Sequence, residues 1–543
     1  MPFRSLFPDI QLPDKSFSDV MFDAMKQHGE KIALVDNSIG GKSLTFKQVY
    51  DQSRNCAGYL YKTGLGKGDV VGLCSSTCLE FPVAMLGIIA AGGVVAPCIP
   101  AYRVGEILQQ FQILKPKMVI VHEECIDTMK KVQQQTESLK KIFVIGKSDE
   151  FTTLMEMIDD KNNKDFPDNI AINGVEDLAL LPYSSGTTGL PKSVMTTHRN
   201  LIFVAMIFGT CIMPETTDCM YTDRPMYHAG GFSCFILTLF GGNKLILEKE
   251  FAVETMLKSI EKYKITHILT VPPDLIFLAN DKRVENYDCS SVKEVACSGT
   301  PLAPDILRKI EKGFGAFIRP AYAMTECLVI AIHRGKESLF EGVGKVCRNT
   351  EVKIIDLQSG KELQKYQTGE IIVKGPAVMK GYMGNPVATA QTITKDGWIH
   401  TGDIGYFDND EILYIIDRLK EIIKYEGVQV SPAELESVIL KHPKVADVGV
   451  IGIPDSHAGE LPKAFVVKKV DDLTADEVDA FVKDELVDHK QLRGGIEFVE
   501  KIPKSSTGKI QRNELKKMAG FKKNDPILKY PRITAALKNL TFS

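Results

Sequence analysis

The sequence predicts an α/β protein. Its large multi-layer N-terminal domain is expected to contain two α/β sheet layers and a β-barrel-like subdomain, and a smaller α+β domain follows. A chain of 543 residues exceeds what one hydrophobic core usually holds, so two or more domains are expected. Short apolar runs alternate with segments of helical periodicity in the first half, which is typical of parallel α/β layers. A charged break at Asp417–Glu421 precedes new helix-start signals, which indicates a second unit.

The composition narrows the class of protein. Hydrophobic residues make up 44% of the chain and charged residues 25%, as in ordinary globular proteins. A net charge of −3 gives no reason to expect nucleic acid or an anionic membrane as a partner. The twelve cysteines lie between Cys56 and Cys347 without zinc-binding spacing, so we expect reduced, buried thiols. The segment His122–Cys125 (HEEC) is superficially similar to a metal site, but a surface turn is the favoured interpretation.

One stretch imitates a membrane span. Phe81–Pro100 holds twenty residues without a charge, which is long enough to cross a bilayer. Its prolines and glycines instead favour a buried helix, a turn and a core strand at Val94–Ala96, so no transmembrane segment is expected. Because no signal peptide and no C-terminal Ser-Lys-Leu are present, we expect a cytoplasmic location, with the peroxisome left open. The oligomeric state is not predicted.

Apolar spacing and turn residues predict the remaining elements. One helix face is formed by Phe17, Val20, Met21, Ala24 and Met25. Buried strands are expected at Ala33–Val35, Val70–Leu73, Val94–Ala96, Met118–Val121, Ile265–Pro273 and Ala446–Ile453, and β-rich structure at Glu351–Pro376. Turns are expected at Lys380–Tyr382, Asn385–Pro386 and Thr401–Asp403, and capping boxes at Ser431–Glu434 and Thr474–Glu477.

The most informative stretch is Leu181–Asn200 (LPYSSGTTGLPKSVMTTHRN). Glycines allow close backbone approach, and consecutive N–H groups, hydroxyls and a lysine suit a polyphosphate. A flexible linker is the alternative, but the apolar lead-in from Leu178 to Tyr183 predicts a buried strand that ends in the loop. A P-loop is a poor interpretation, because its second glycine is replaced by Pro191.

This stretch closely resembles the signature loop of the adenylate-forming enzymes, which include acyl-CoA synthetases, coumarate–CoA ligases, beetle luciferases and peptide-synthetase adenylation domains. The resemblance extends from about residue 15 to 518 through six ordered motifs, and it favours the coumarate–CoA ligase and luciferase branch. It implies ATP, Mg²⁺ and CoA as cofactors. The implied ATP-binding residues are Ser184, Ser185, Gly186, Thr187, Thr188, Gly189, Lys192, Tyr322, Thr325, Asp403, Arg418 and Lys509.

Within Arg319–Glu326 (RPAYAMTE) the resemblance implies a loop with distinct roles for its residues. Tyr322 is expected to stack on adenine, Thr325 to lie near the phosphates and Glu326 to ligate Mg²⁺, for which a carboxylate oxygen is suited. Alanines at 321 and 323 replace the glycines of relatives, so either the pocket is tighter or the backbone avoids positive φ. Ribose contacts are implied for Asp403 and Arg418.

An acyl pocket is implied beside the nucleotide. Its expected wall consists of Tyr227, His228, Cys297, Ser298, Gly299, Ala321 and Met324. The wall is small and mostly apolar, which is consistent with an aryl or a medium or long aliphatic acid. A lone histidine in an apolar run is otherwise a core residue, so His228 stays open between a catalytic and a packing role.

The resemblance divides the chain into residues 1–418, which bind adenylate and acyl group, and residues 419–543, a mobile lid. Lys420 is the implied hinge, and Lys509 in the closing motif PKSSTGK is implied to act on the α-phosphate during adenylation. After rotation, Lys424 and Gly427 are implied to bind CoA, with Lys424 also catalytic. Glu426 stands where relatives often carry lysine, which reverses a charge near CoA.

The predicted activity is that of an acid–thiol ligase, an AMP-forming acyl-CoA synthetase whose partner is a small carboxylic acid. Three alternatives are weighed. A luciferase-like monooxygenase is disfavoured by Val204, where beetle luciferases carry arginine, and an amino-acid-activating domain by His228, where those relatives carry aspartate. An adenylate-binding protein without CoA-ligase turnover is suggested by the changes at Ser193, Ala321, Ala323 and Glu426.

Overall fold

A computed structural model describes residues 2–167, 170–184, 192–211, 218–298, 304–333, 341–426, 428–455, 457–505 and 508–520. It confirms the predicted fold class, with several α/β layers in the larger N-terminal part and a smaller C-terminal part. Four sheets organise these residues.

The first sheet contains five parallel strands and an antiparallel edge. In spatial order its strands are Gly381–Tyr382, Lys192–Thr197, Leu178–Leu180, Val94–Cys98, Val70–Cys74, Met118–His122 and Lys141–Ile145, with Tyr183–Ser184 paired to Lys192–Thr197. Three of the predicted buried strands are confirmed here. The two arms of the serine- and glycine-rich loop pair with each other, with Ser184 opposite Lys192.

The second sheet has a parallel centre of six strands. Its spatial order is Lys345–Val346, Ala331–Ile332, Phe317–Tyr322, Glu294–Ser298, His267–Thr270, Cys219–Thr222, Lys244–Leu247, Ile32–Asp36 and Lys42–Thr45. Neighbouring parallel strands end at the same edge of a sheet, so Ser298 and Tyr322, the last residues of two paired strands, lie close together there.

Helices between these two sheets form the main core. The helices Phe17–Lys26, Phe46–Lys62, Glu80–Ala90, His198–Cys211 and Ala229–Gly241 pack on one another. One continuous apolar cluster joins them to strands of both sheets. The predicted helix face from Phe17 to Met25 is buried in it, and the uncharged stretch after Phe81 is a buried helix followed by a strand, as predicted.

The other helices cover the outer faces and the C-terminal part. They are Val104–Leu114, Ile126–Gln133, Leu154–Met157, Val253–Tyr263, Pro272–Asn280, Pro304–Phe314, Pro386–Thr392, Pro432–Ile439, Ala475–Glu485 and Arg512–Met518. Among the helices in the described ranges, none is both long enough and apolar enough to cross a membrane.

Two smaller sheets complete the fold. The third, the predicted β-rich subdomain, has the order Phe3–Arg4, Glu351–Ile355, Gly369–Lys374, Ile399–Phe407 and Leu413–Arg418. The fourth has the order Val428–Val430, Ile423–Tyr425, Gly459–Lys468 and Val445–Asp455, with Ile496–Phe498 paired to Gly459–Lys468. The predicted boundary between residues 418 and 419 falls in the turn that separates the two sheets, and it stays a prediction.

The segments predicted as turns at Lys380–Tyr382, Asn385–Pro386 and Thr401–Asp403 belong to two strands and a helix start. Gly381–Tyr382 is a strand paired with Val194–Met195, and Asn385 caps the helix Pro386–Thr392. Thr401–Asp403 lies inside the strand Ile399–Phe407, where Gly402 has φ +70°. This strand continues through the glycine instead of reversing.

Three other local predictions also need correction. The prolines after Thr270 begin the helix Pro272–Asn280 rather than only ending a strand, because proline fits the first helical position. Arg319–Tyr322 belongs to a strand, so the predicted loop starts at Ala323. Ser431 caps the helix Pro432–Ile439 as predicted, but the Glu434 carboxylate accepts a hydrogen bond from Lys490 at 2.6 Å instead of completing the capping box. The capping box predicted at Thr474–Glu477 is complete.

The predictions for the cysteines agree with the structure. The eleven cysteines whose side chains are described are buried thiols rather than halves of a disulfide. Glu123–Cys125 forms a short 3-10 helix after a strand. In the described part of the chain, no group of three or more His, Cys, Asp or Glu side chains is arranged to hold a metal ion.

Candidate active site

The first cluster of predicted site residues forms where the second and third sheets meet. Tyr322 is the last residue of its strand, and its phenol donates a hydrogen bond to Oδ2 of Asp403. Asp403 pairs across the third sheet with Arg418, whose Nε lies 3.2 Å from Oδ1. Both Tyr322 and Asp403 are buried. The strands thus hold an aromatic ring, a carboxylate and a guanidinium in one rigid group.

Burial sets the electrostatics of this group. Desolvation raises the pKa of Asp403 above its usual range, while Arg418, Tyr322 and Lys509 act in the opposite direction. Burial also raises the pKa of Tyr322, and the neighbouring Asp403 adds to the effect. The phenol therefore stays protonated and keeps donating to the carboxylate.

A second cluster joins the strand Lys192–Thr197, which follows the serine- and glycine-rich loop, to the turn after Tyr322. Lys192 begins the strand Lys192–Thr197, and its Nζ lies 4.8 Å from the centroid of the Tyr382 ring. The Tyr382 phenol donates to Oε1 of Glu326 at 3.0 Å. Tyr382 was predicted only as part of a turn, and its role is missed because both partners are distant in the chain. Thr325, next to Glu326, is half-buried in the same turn.

Two lysines of the C-terminal part approach these clusters. The pKa of Lys509 is lowered, first by burial and then by the charge of Arg418, while Asp403 and Glu326 act to raise it. The pKa of Lys420 is lowered by partial burial and then by Lys192 and Arg418. Basic side chains from three distant segments therefore converge beside Asp403 and Glu326. Such a concentration of positive charge suits a polyphosphate.

Tyr227 and His228 immediately precede the helix Ala229–Gly241, and His228 is its N-cap residue. Their ring centroids lie 4.7 Å apart, and both side chains are half-buried. Burial, with smaller contributions from the charges of Lys509 and Arg224, lowers the pKa of His228 to about 4. His228 is therefore neutral near pH 7, and it lies close enough to Lys509 for the lysine charge to affect its pKa.

A buried ionic group behind His228 is not evident from sequence spacing. Arg224 pairs with Asp223 at 2.5 Å and with Asp274 at 2.6 Å, and Thr270 donates to Asp274 at 2.9 Å. Burial raises the pKa of Asp274 to about 6 against the opposing effect of Arg224. This group fixes the segment that leads into Tyr227 and His228. The only sign of this ionic group in the sequence is the pair of adjacent charged residues Asp223 and Arg224 before Pro225.

The described acyl-wall residues lie on adjacent strands and the turn that follows. Ser298 is paired with Ala321, and Cys297 with Pro320, across two parallel strands. Met324 and Tyr227 both pack against the main core. Neither Ala321 nor Ala323 has a positive φ, as the backbone alternative for the missing glycines predicts, and the tighter pocket stays a prediction.

Seven predicted site residues lie outside the described residues. They are Ser185, Gly186, Thr187, Thr188, Gly189, Gly299 and Gly427. At the edge of the loop, the buried Ser184 hydroxyl has no hydrogen-bond partner among the described residues, which suits a site for a polar ligand. Lys424 is exposed in the strand Ile423–Tyr425, where its backbone N–H donates to Glu460 at 2.9 Å.

Comparisons with known proteins agree in both parts of the chain. The model of the AMP-binding enzyme family matches residues 21–383, and that of the AMP-binding enzyme C-terminal domain matches residues 434–509. 4-Coumarate–CoA ligase 1 of Arabidopsis thaliana is 35% identical over 537 residues, covering 95% of this chain and 94% of that protein. Luciferin 4-monooxygenase of Photinus pyralis is 34% identical over 530 residues, covering 94% and 96%. The crystal structure of ATP-bound MatB from Rhodopseudomonas palustris superposes with a TM-score of 0.83 at 25% identity, covering 93% of this chain and 99% of that one.

Proposed function

Because the chain belongs to the AMP-binding enzyme family, in the adenylate-forming superfamily of coumarate–CoA ligases and luciferases, we propose that it joins a carboxylic acid to the thiol of CoA at the expense of ATP. The main support is the convergence of Lys192, Glu326, Asp403, Arg418 and Lys509. These residues come from distant segments, and their chemistry matches the parts of a nucleoside triphosphate.

In the first half-reaction, an oxygen of the acid attacks the α-phosphorus of ATP, and pyrophosphate leaves with the electrons of the broken P–O bond. Lys509 stabilises the negative charge that develops on the α-phosphate, while Lys192 binds the phosphates beside Ser184. Asp403 accepts hydrogen bonds from the ribose hydroxyls, and Arg418 holds Asp403 in place. Tyr322 provides an aromatic face for adenine.

The oxygen chemistry of the site fits a hard divalent cation. Mg²⁺ commonly uses only one or two carboxylates plus phosphate oxygens and water, so a single acidic residue on the same side of the site as Lys192 is a suitable protein ligand. Glu326 is that residue, held by Tyr382 at Oε1. When bound with ATP, Mg²⁺ neutralises phosphate charge.

In the second half-reaction, the thiol of CoA attacks the acyl carbonyl carbon, and AMP leaves with the oxygen that the acid contributed. We propose that residues 419–543 rotate about Lys420 between the two steps, which withdraws Lys509 and brings Lys424 and Gly427 to the adenylate. The exposed position of Lys424 agrees with this assignment, because a residue that acts after rotation has no reason to be buried before it.

The proposed substrate is an aryl acid or a medium or long aliphatic acid. Support comes from the apolar or small side chains at Cys297, Ala321 and Met324 and from a neutral His228, none of which offers a charge to a second polar end of the acid. ATP–pyrophosphate exchange tests the activity, with a panel of aryl and aliphatic acids and with Lys509→Ala as control. Acid-dependent exchange, followed by AMP release and thioester formation when CoA is added, is expected. Exchange with no acid of the panel counts against the proposal.

A luciferin monooxygenase is the second candidate, because the relative of that name is 34% identical to this chain and the coumarate–CoA ligase 35%. Val204 speaks against it, since the position that carries arginine in beetle luciferases is here a fully buried apolar residue of the helix His198–Cys211. Light emission from luciferin, ATP and oxygen is the result that would favour the second candidate.

A further inference from the structure

Tyr382 connects two parts of the site that are separate in the sequence. Its strand pairs with Val194–Met195 of the strand that leaves the phosphate loop. The neighbouring Met379 N–H donates to the backbone oxygen of Glu326 at 2.9 Å. The backbone segment that carries Tyr382 is therefore hydrogen-bonded both to the strand Lys192–Thr197 and to the turn that contains Glu326.

The Tyr382 side chain repeats this connection with its own atoms. The ring faces the Lys192 ammonium, at 4.8 Å from its centroid, and the hydroxyl donates to Oε1 of Glu326 at 3.0 Å. Tyr382 is only 7% exposed, so neither contact is diluted by solvent. A cation over an aromatic face and a phenol–carboxylate bond are both stronger when they are shielded from water.

We propose that Tyr382 is a positioning residue for metal-dependent nucleotide binding. Its hydroxyl holds one oxygen of Glu326 and leaves Oε2 for Mg²⁺, while its ring holds Lys192 on the phosphate side. Hydrogen-bond partners that orient a metal ligand typically change metal affinity by about 10- to 100-fold when they are removed. This inference rests on the proposed function, because it takes Glu326 as the metal ligand and Lys192 as a phosphate ligand.

A purely structural role is the competing explanation, since Tyr382 is also part of the main core. Tyr382→Phe separates the two explanations, because it keeps the buried ring and removes only the hydroxyl. The chain offers a matched control in Tyr322→Phe. This variant also removes a buried phenol that donates to a carboxylate, but the carboxylate is Asp403 on the ribose side.

The experiment measures binding of ATP to the full-length protein by the rise in its melting temperature, at Mg²⁺ concentrations from zero (with a chelator) to saturation. For Tyr382→Phe, the Mg²⁺ concentration that gives half of the stabilisation is expected to rise about tenfold or more. Binding of ATP without Mg²⁺ stays unchanged, and each rise is measured relative to the melting temperature of the same variant without ligand. For Tyr322→Phe, ATP binding weakens equally with and without Mg²⁺, and the Mg²⁺ midpoint stays where it is.

Glu326→Gln provides a second measurement that does not depend on the folding of the tyrosine variant. The amide oxygen still accepts from Tyr382, but the charge for the metal is gone, so the Mg²⁺ midpoint is expected to rise at least as far. A Tyr382→Phe midpoint within twofold of the wild type overturns the inference and leaves the proposed function intact. Wild-type protein that shows no Mg²⁺-dependent stabilisation by ATP overturns both.

Discussion

Asp417 links the two sides of the proposed hinge, and replacing it by asparagine is expected to slow adenylation selectively. Oδ2 of this buried carboxylate accepts from the Ser431 hydroxyl at 2.5 Å and from the Ala433 N–H at 3.0 Å. Asp417 precedes Lys420, whereas Ser431 and Ala433 begin the helix Pro432–Ile439 beyond it. These bonds therefore favour the orientation in which Lys509 lies beside Asp403 and Glu326.

The size of the expected effect depends on which interactions of Asp417 an asparagine side chain retains. Hydrogen bonds to a charged group contribute roughly 1.5–3 kcal/mol, and a carboxylate at a helix N-terminus adds about 0.3–1 kcal/mol. The Asp417→Asn variant retains an acceptor oxygen at this position and loses the charge. A loss of about 1–2 kcal/mol is therefore expected for this orientation, which corresponds to a roughly 5- to 30-fold change in its population.

The assay compares the two half-reactions. ATP–pyrophosphate exchange is expected to fall by that factor in Asp417→Asn, while thioester formation from CoA and a prepared acyl-adenylate is unchanged or faster. Asp472→Asn is the control, because Asp472 pairs with Lys444, at 2.9 Å, far beyond the hinge in the chain and on the surface. Equal losses in both half-reactions, or no loss in either, would refute the reasoning.

Three further predictions concern stability and the second half-reaction. Burial raises the pKa of Glu436 to about 7 although Arg512 lies 3.0 Å away, so the folded protein binds this proton more tightly than the unfolded chain and loses stability as pH rises from about 4.5 to about 7. Urea unfolding from pH 5 to 8 should show a decline up to about 3 kcal/mol larger in the wild type than in Glu436→Gln, and parallel curves contradict this. Gly231→Ala should lower the free energy of unfolding by about 1–3 kcal/mol and raise the KM for the acid, because the added Cβ would lie 2.1 Å from the Pro225 carbonyl oxygen. Gly230→Ala is the control: a Cβ at that position would have no neighbouring atom within 4 Å, so thermal unfolding is expected to be unchanged. Glu426→Lys should lower the KM for CoA by roughly 2- to 10-fold at low salt without changing pyrophosphate exchange. The reason is that Glu426, whose φ is +47°, is an exposed negative charge near the proposed site for the polyanionic CoA. An unchanged KM would show that Glu426 does not lie at the CoA site.

Local spacing predicts the elements that depend on local burial. The helix Phe17–Lys26 and the strand Val94–Cys98 follow from apolar periodicity, because each buries a face or a run that is visible in the sequence. The turn predicted at Lys380–Tyr382 fails because the strand exists only through its partner Val194–Met195, far upstream. Tertiary pairing overrides local turn propensity there.

In the candidate site, too, residues in local motifs could be predicted from the sequence, whereas residues that depend on distant partners could not. Motif resemblance singled out Glu326, Asp403, Arg418 and Lys509, since each sits in a recognisable stretch. It missed Tyr382 and Asp417, whose bonding partners Glu326 and Ser431 are 56 and 14 residues away. A side chain that positions another residue leaves no sign in its own neighbours, so only the folded arrangement reveals it.

The central claim, that an acid oxygen attacks the α-phosphorus of ATP, is tested most directly by isotope transfer. An accepted acid labelled with ¹⁸O in both carboxylate oxygens is incubated with the protein, ATP and CoA, and the AMP is analysed by mass spectrometry. The account predicts AMP with one ¹⁸O and unlabelled pyrophosphate, since AMP leaves with the oxygen that the acid contributed. Unlabelled AMP, or label in inorganic phosphate with ADP as the product, would contradict it.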